Sequence, residues 1–114
     1  MLVRLLYASR ATSPIDEALV ASILEKAHAH NAQHGLTGFL YTASESGVFL
    51  QVLEGGRAAV NELYGSIVRD PRHKDVELLS YQQIGERRFA GWSMGQVNLS
   101  RLNPGLLLKY SATA

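Results

Sequence analysis

The stretch Val48-Phe49-Leu50-Gln51-Val52-Leu53-Glu54-Gly55 constrains the fold more than any other, because it is apolar along nearly its whole length yet carries an amide at its centre. With the period of two of a β-strand, Phe49, Gln51 and Leu53 share one face and Val48, Leu50 and Val52 the other. Neither face reads as solvated, which is the pattern of an interior strand. A primary amide carries both donors and acceptors, and burying it without partners costs roughly 1–3 kcal/mol. Gln51 therefore requires polar partners inside the core.

Other segments can supply them. Leu2 to Ser9 is a second two-faced strand, with Val3, Leu5 and Tyr7 on one face, Leu2, Leu6 and Ala8 on the other, and Arg4 as the exception. Tyr7 then has its ring inside and a hydroxyl in need of a partner, although taken alone it reads more readily as an ordinary core tyrosine than as a functional group. Ser13-Pro14 is expected to open a helix, with Ser13 as N-cap, Pro14 at the first helical position and Asp16-Glu17 at the positive end. The helix is expected to run to about His34, where Gly35 suits the left-handed position that ends it. Val20, Leu24, Ala27 and Asn31 form its inward stripe, so a second amide faces the core. Asn31 could serve a ligand or, as a residue near a helix end, local carbonyls. His30 and His34 lack a third ligand at motif spacing, so no metal site is expected.

Leu36 to Thr42 and Val48 to Leu53 read as a hairpin around Ser44-Glu45-Ser46-Gly47. Gly55-Gly56 precedes a second helix striped by Val60, Leu63, Tyr64 and Ile67 and ended by Pro71. Its small residues Ala58, Ala59, Gly65 and Ser66 allow close approach, of a planar ligand or of the sheet. The turn Asp70-Pro71-Arg72-His73-Lys74 gathers donors without the glycines of a phosphate loop. Val76 to Ile84 and Trp92 to Val97 are expected as the fourth and fifth strands, with Trp92, Met94 and Gln96 on one face and Met94 filling irregular space. The order strand, helix, strand, strand, helix, strand, strand is that of a ferredoxin-like α+β domain with a fifth strand in a mixed sheet and both helices on one face. Neighbouring strands one and three then bring Tyr7 and Gln51 together beneath Asn31.

Composition narrows the function. A chain of 114 residues, 46% hydrophobic, fits one domain. Without cysteine there are no disulfides, thiol nucleophiles or thiolate metal sites, and with no signal-peptide pattern at the N-terminus a cytoplasmic location is expected. Eleven basic and ten acidic side chains leave a net charge of +1, no general attraction for nucleic acid or anionic lipid. No apolar run is long enough to span a membrane.

Five segments carry a more specific signal: Arg4-Leu5-Leu6-Tyr7; His30-Asn31 followed by Gly35-Leu36-Thr37-Gly38; Phe49-Leu50-Gln51-Val52-Leu53-Glu54-Gly55; Arg69-Asp70-Pro71-Arg72-His73; and Arg87-Arg88-Phe89-Ala90-Gly91-Trp92-Ser93-Met94. In this order and spacing, over residues 4 to 94, the chain resembles a BLUF domain, the flavin-binding blue-light sensor family. The resemblance implies a photoreceptor module, not an enzyme, holding a flavin noncovalently between the two helices, usually FAD, with FMN or riboflavin as alternatives. It implies that Tyr7 gives an electron and a proton to the excited flavin and that Gln51 bridges Tyr7 to the flavin and then rotates or tautomerises. Asn31, His30, Phe49, Asp70, Arg72 and His73 would line the binding site, and Trp92 and Met94 would relay the change along strand five to an unidentified downstream protein. By the same resemblance residues 1–97 form the flavin-binding domain and residues 98–114, including Leu106-Leu107-Leu108, a shortened C-terminal tail or the start of a cap. That leaves a homo-oligomer open.

Three other readings share the fold. An RNA-binding module would present more aromatic residues than Phe49 on the third strand and a basic surface. A small acid-anhydride hydrolase would need a glycine-rich anion loop, whereas Ser9-Arg10-Ala11-Thr12-Ser13-Pro14 has no glycine. The alternative that remains is a ferredoxin-like interaction or ligand-binding domain without photoactivity.

Overall fold

In a computed structural model the described residues, 1–99, form a five-stranded sheet in the order β4-β1-β3-β2-β5 with two helices. The elements run β1 (Leu2–Ala11), α1 (Glu17–His34), β2 (Thr37–Ala43), β3 (Val48–Gly56), α2 (Arg57–Arg69), β4 (His73–Ile84) and β5 (Gly95–Leu99). All neighbouring strands are antiparallel except β2 and β5, so the sheet is mixed. Residues of the expected C-terminal tail beyond 99 lie outside the described residues. No helix of the described residues is long and apolar enough to cross a membrane.

The two-faced strands stand at the centre, as their composition requires. On one face Val3, Leu5 and Tyr7 of β1 and Phe49 and Leu53 of β3 join Leu36, Leu40 and Val60 in the main core. Leu19, Val20, Ile23, Leu24 and Ala27 of α1 and Leu63, Tyr64 and Ile67 of α2 pack onto the same cluster, so both helices cover one face. On the other face Leu6, Leu50 and Val52 form a smaller cluster with Tyr41, Leu79 and Phe89. Register is set by this burial, since a slip of one residue would exchange the two faces. It pairs Tyr7 with Gln51 and, further along, Arg4 with Glu54.

The third strand runs on to Gly56 and the fourth begins at His73 instead of Val76, and two further differences bear on the site. The N-cap of α1 is Asp16, not Ser13, and its carboxylate accepts a hydrogen bond from Leu19 N at 2.8 Å. Starting the helix later places a negative charge on the positive helix end and lets Ile15 sink into the main core just before the cap, as in a hydrophobic staple. The fifth strand begins at Gly95, not Trp92, because the residues before it are held by hydrogen bonds to β2 and α1 instead of a strand ladder. The C-terminal end of α1 follows expectation: Gly35 adopts φ 65°, and Gly35 N and Leu36 N both donate to Asn31 O.

Candidate functional site

Between the helices and the cavity face of the sheet lies a cavity of about 240 Å³. Its floor is strand, its sides are helix, and the turn after α2 adds to its lining. Tyr7, Leu40, Phe49 and Gln51 form the floor, Ile23, Ala27, His30 and Asn31 the α1 wall, and Leu63 and Ile67 the α2 wall. Asp70, Arg72 and His73 stand at the turn. Of the residues singled out from sequence, all these polar and aromatic groups meet in one place. Neither Trp92 nor Met94 lines the cavity, although Met94 lies behind its floor in contact with Gln51.

A directed chain of hydrogen bonds starts on the floor and runs into the core behind it. Tyr7 (1% exposed) and Gln51 (6%) stand directly opposite on adjacent antiparallel strands, where opposed side chains lie within reach of each other. The Tyr7 hydroxyl donates a hydrogen bond to Gln51 Oε1, and Gln51 Nε2 donates to Met94 Sδ at 3.4 Å. Burial pushes the Tyr7 phenol far above the ordinary range, with the charges of Tyr64 and Asp70 adding to the effect and that of Arg72 partly offsetting it. Tyr7 therefore keeps its proton and has one acceptor for it. An amide with its oxygen and nitrogen both engaged can exchange partners by turning over or by shifting a proton.

The α1 wall contributes an unmet demand. Asn31 Nδ2 donates to Ser93 O at 2.6 Å, while Asn31 Oδ1 is buried without a hydrogen-bond partner. A buried orphan acceptor is costly, so this site calls for an N–H donor in the cavity. The polar edge of a flavin ring, an N–H between two carbonyls, would supply such a donor, and the apolar side chains of Ile23, Leu63 and Ile67 would suit its planar body. Residues and ligand chemistry fit.

At the turn Asp70 and Arg72 hold each other. Arg72 Nη2 lies 2.6 Å from Asp70 Oδ2, and Arg72 N donates to Asp70 Oδ1 at 2.9 Å. These bonds hold the Asp70 carboxyl below its usual range and raise the Arg72 guanidinium. His73 packs edge-on to Tyr7 and against Phe49. Its Nδ1 lies 2.7 Å from Ser9 Oγ, so Nε2 is the nitrogen left for a ligand. Burial lowers the affinity of His73 for a proton, with Asp70 opposing and Arg72 adding, which favours the neutral ring. Ser9 was legible in principle, since the period of two places it on the Tyr7 face of β1.

Trp92 and Met94 part company. Met94 is 4% exposed, in the main core and against Gln51, whereas Trp92 is 52% exposed, beside Phe39 with ring centroids 5.4 Å apart. The expectation that both share an inward strand face is corrected, because both precede β5 in an irregular segment where alternation does not apply. Two further contacts on that segment escaped the sequence reading: His28 Nδ1 lies 2.5 Å from Ser93 Oγ, and Glu54 binds the backbone of Arg88 and Phe89. His28, four residues after Leu24, lies at the edge of the inward stripe without a polar signal of its own, and the backbone partners of Glu54 leave no mark in a sequence pattern, although Arg4, the charged exception on the facing strand, pointed to its ion pair.

Comparison with known proteins agrees with this geometry. The family model for BLUF, described as sensors of blue-light using FAD, matches residues 2–95. The chain is 38% identical over 94 residues to photoactivated adenylate cyclase subunit beta of Euglena longa, covering 82% of this chain and 11% of that protein. It is 42% identical over 86 residues to photoactivated adenylate cyclase subunit alpha of Euglena gracilis, covering 75% and 8%. The chain thus spans about a tenth of the length of these relatives. The dark-state structure of the BLUF protein BlrB superposes with a TM-score of 0.82 at 32% identity, over 98% of this chain and 83% of that one. A bacterial light-regulated adenylyl cyclase superposes with a TM-score of 0.83 at 27% identity, over 99% and 32%. From the family match and these likenesses together, the chain belongs to the BLUF family of flavin-binding blue-light sensors.

Proposed function

We propose that the cavity holds FAD and that Tyr7 and Gln51 carry the photochemistry within residues 1–97. The observation that carries this reading is the hydrogen bond from Tyr7 to Gln51 on the floor of a cavity whose wall holds Asn31 with its orphaned Oδ1, Gln51 passing the chain on to Met94 in the core behind. When bound, the flavin supplies blue-light absorption and the electron acceptor. Tyr7 supplies an electron and a proton, and its hydroxyl proton already points at Gln51 Oε1. Gln51 is the switch, because turning its amide over exchanges donor for acceptor toward Tyr7 and Met94 alike. Asn31 holds the ring's polar edge, and His30, Phe49, Asp70, Arg72 and His73 complete the binding site.

The altered Gln51 contact with Met94 starts the signal, and the segment bearing Ser93 and exposed Trp92 carries it to an output protein or domain. The two Euglena relatives are subunits of photoactivated adenylate cyclases, which suits a module that reports to a separate output.

The test is the visible absorption spectrum of the purified protein loaded with FAD, in darkness, after blue illumination and during recovery. A flavin spectrum that shifts slightly to the red and returns in darkness is expected. A fixed or bleaching spectrum would refute the switch, and failure to bind any flavin would leave a ferredoxin-like domain of another use.

A further inference from the structure

Glu54 lies on β3 shortly after Gln51, on the opposite face of the sheet, and is 0% exposed. Its carboxylate is fully engaged. Oε2 accepts from Arg4 Nε at 2.8 Å and from Arg88 N at 2.9 Å, and Oε1 accepts from Phe89 N at 2.8 Å. Arg87 adds a bond from Nη1 to Thr37 Oγ1 at 3.0 Å. The connection between β4 and β5 is thus tied down by a buried carboxylate, not by a strand ladder.

From that tie the chain crosses the sheet. Phe89 belongs to the cluster on the far face and Met94 to the core on the cavity face. Between them Trp92 N donates to Phe89 O at 3.0 Å, Gly38 N donates to Trp92 O at 3.1 Å, and Asn31 Nδ2 donates to Ser93 O. At the far end stands the Met94 sulfur, accepting from the Gln51 amide. Its two ends differ in strength: a carboxylate bound by a guanidinium and two N–H groups in a dry site against a single long contact to sulfur.

We propose that Glu54 is the fixed anchor of residues 88–94, a positioning residue that sets where the Met94 sulfur meets the Gln51 amide and so sets the lifetime of the light-adapted state. This rests on the photoreceptor reading above. Releasing the anchor would strand Arg4 and the carboxylate itself in the interior and take the acceptor from two backbone donors, so light moves the segment beyond the anchor while the anchor holds. Losing the anchor lets Met94 withdraw, removes a contact that favours the arrangement seen here, and slows return to it.

The test uses the full chain loaded with FAD and compares the wild type, Glu54→Gln, Met94→Ala and the double variant. Glutamine keeps the size of the side chain but offers an NH2 group where the carboxylate accepts. Glu54→Gln is expected to slow dark recovery by about fivefold, yet to change it less than about twofold when Met94 is already alanine, whereas its cost in thermal stability is the same in both backgrounds. Equal kinetic effects in both backgrounds, or none in either, would overturn the proposal. If Glu54→Gln does not fold, amide exchange in the wild type decides: Arg88 and Phe89 amides are expected to stay equally protected in darkness and blue light while exchange at Trp92 to Met94 changes. Faster exchange at Arg88 and Phe89 in light would overturn it. A wild type that binds FAD without any light-induced shift would refute the photoreceptor reading and this proposal with it.

Discussion

Deleting the Tyr7 hydroxyl and deleting the Gln51 amide are expected to be coupled perturbations. Both groups are buried, so Tyr7→Phe leaves Gln51 Oε1 without its protein donor, at a cost of about 1–3 kcal/mol. Gln51→Leu does the converse: it strands the Tyr7 hydroxyl and removes the weaker donor to Met94. The double variant strands neither, so its loss should fall short of the sum of the two by about 1–3 kcal/mol. In a domain of this size each kcal/mol moves Tm by about 4–8 °C. Each single variant is therefore expected to melt on the order of 5–20 °C lower, with the double variant no worse than about one single. Thermal melts followed by circular dichroism, in darkness at equal flavin loading, measure the cycle. Strictly additive losses would show that the two side chains share no hydrogen bond. The same variants separate structure from photochemistry, since each single is expected to stay yellow and to lose the light-induced red shift. A normal shift in either would refute the role assigned to that residue.

Other outcomes follow from the same geometry. Gly38→Ala would place a Cβ 2.1 Å from Val52 O in the neighbouring strand and 3.3 Å from Met94 Cε, so a loss above about 3 kcal/mol or failure to fold is expected, read from soluble yield and Tm. Gly56→Ala meets nothing within 4 Å and is expected to change stability by less than about 1 kcal/mol in the same melts. Asn31→Ala removes the orphan acceptor and is expected to weaken FAD binding about tenfold in a fluorescence-quench titration, whereas unchanged affinity would exclude Asn31 from the site. Burial lowers His73 from its ordinary value of 6.5, so the unfolded chain binds the proton more tightly. Its contribution is complete above that value and is lost as pH falls from there through the lowered folded pKa. The lowered Asp70 contributes in the same direction but in a more acidic window, below its ordinary 3.8. Urea midpoints measured against pH should fall in the upper window for the wild type and not for His73→Phe.

Much of this molecule could be read from local chemistry. The two-faced strands around Tyr7 and Gln51 announce themselves because a period of two with no polar face admits only an interior position. Asn31 on an apolar helical stripe is legible for the same reason. The start of α1 was less so, since Ser13 and Asp16 are both acceptable caps, and burial of Ile15 chose between them. Trp92 and Met94 could not be told apart by pattern, because both are apolar and separated by one residue. The anchoring of Arg88 and Phe89 on Glu54 turns that segment so that Met94 enters the core and Trp92 stays outside.

By itself the sequence determined the order of elements, the interior strands and the presence of buried groups in want of partners, because periodicity and burial cost belong to short stretches of chain. Only the tertiary structure decided that Tyr7 stands opposite Gln51, that Asn31 on the cavity wall keeps an Oδ1 with no hydrogen-bond partner, and that a carboxylate on the far face holds the segment bearing Met94. Register, empty space and which side chain wins a buried position depend on residues far apart in the chain meeting at once, and no local pattern records that meeting.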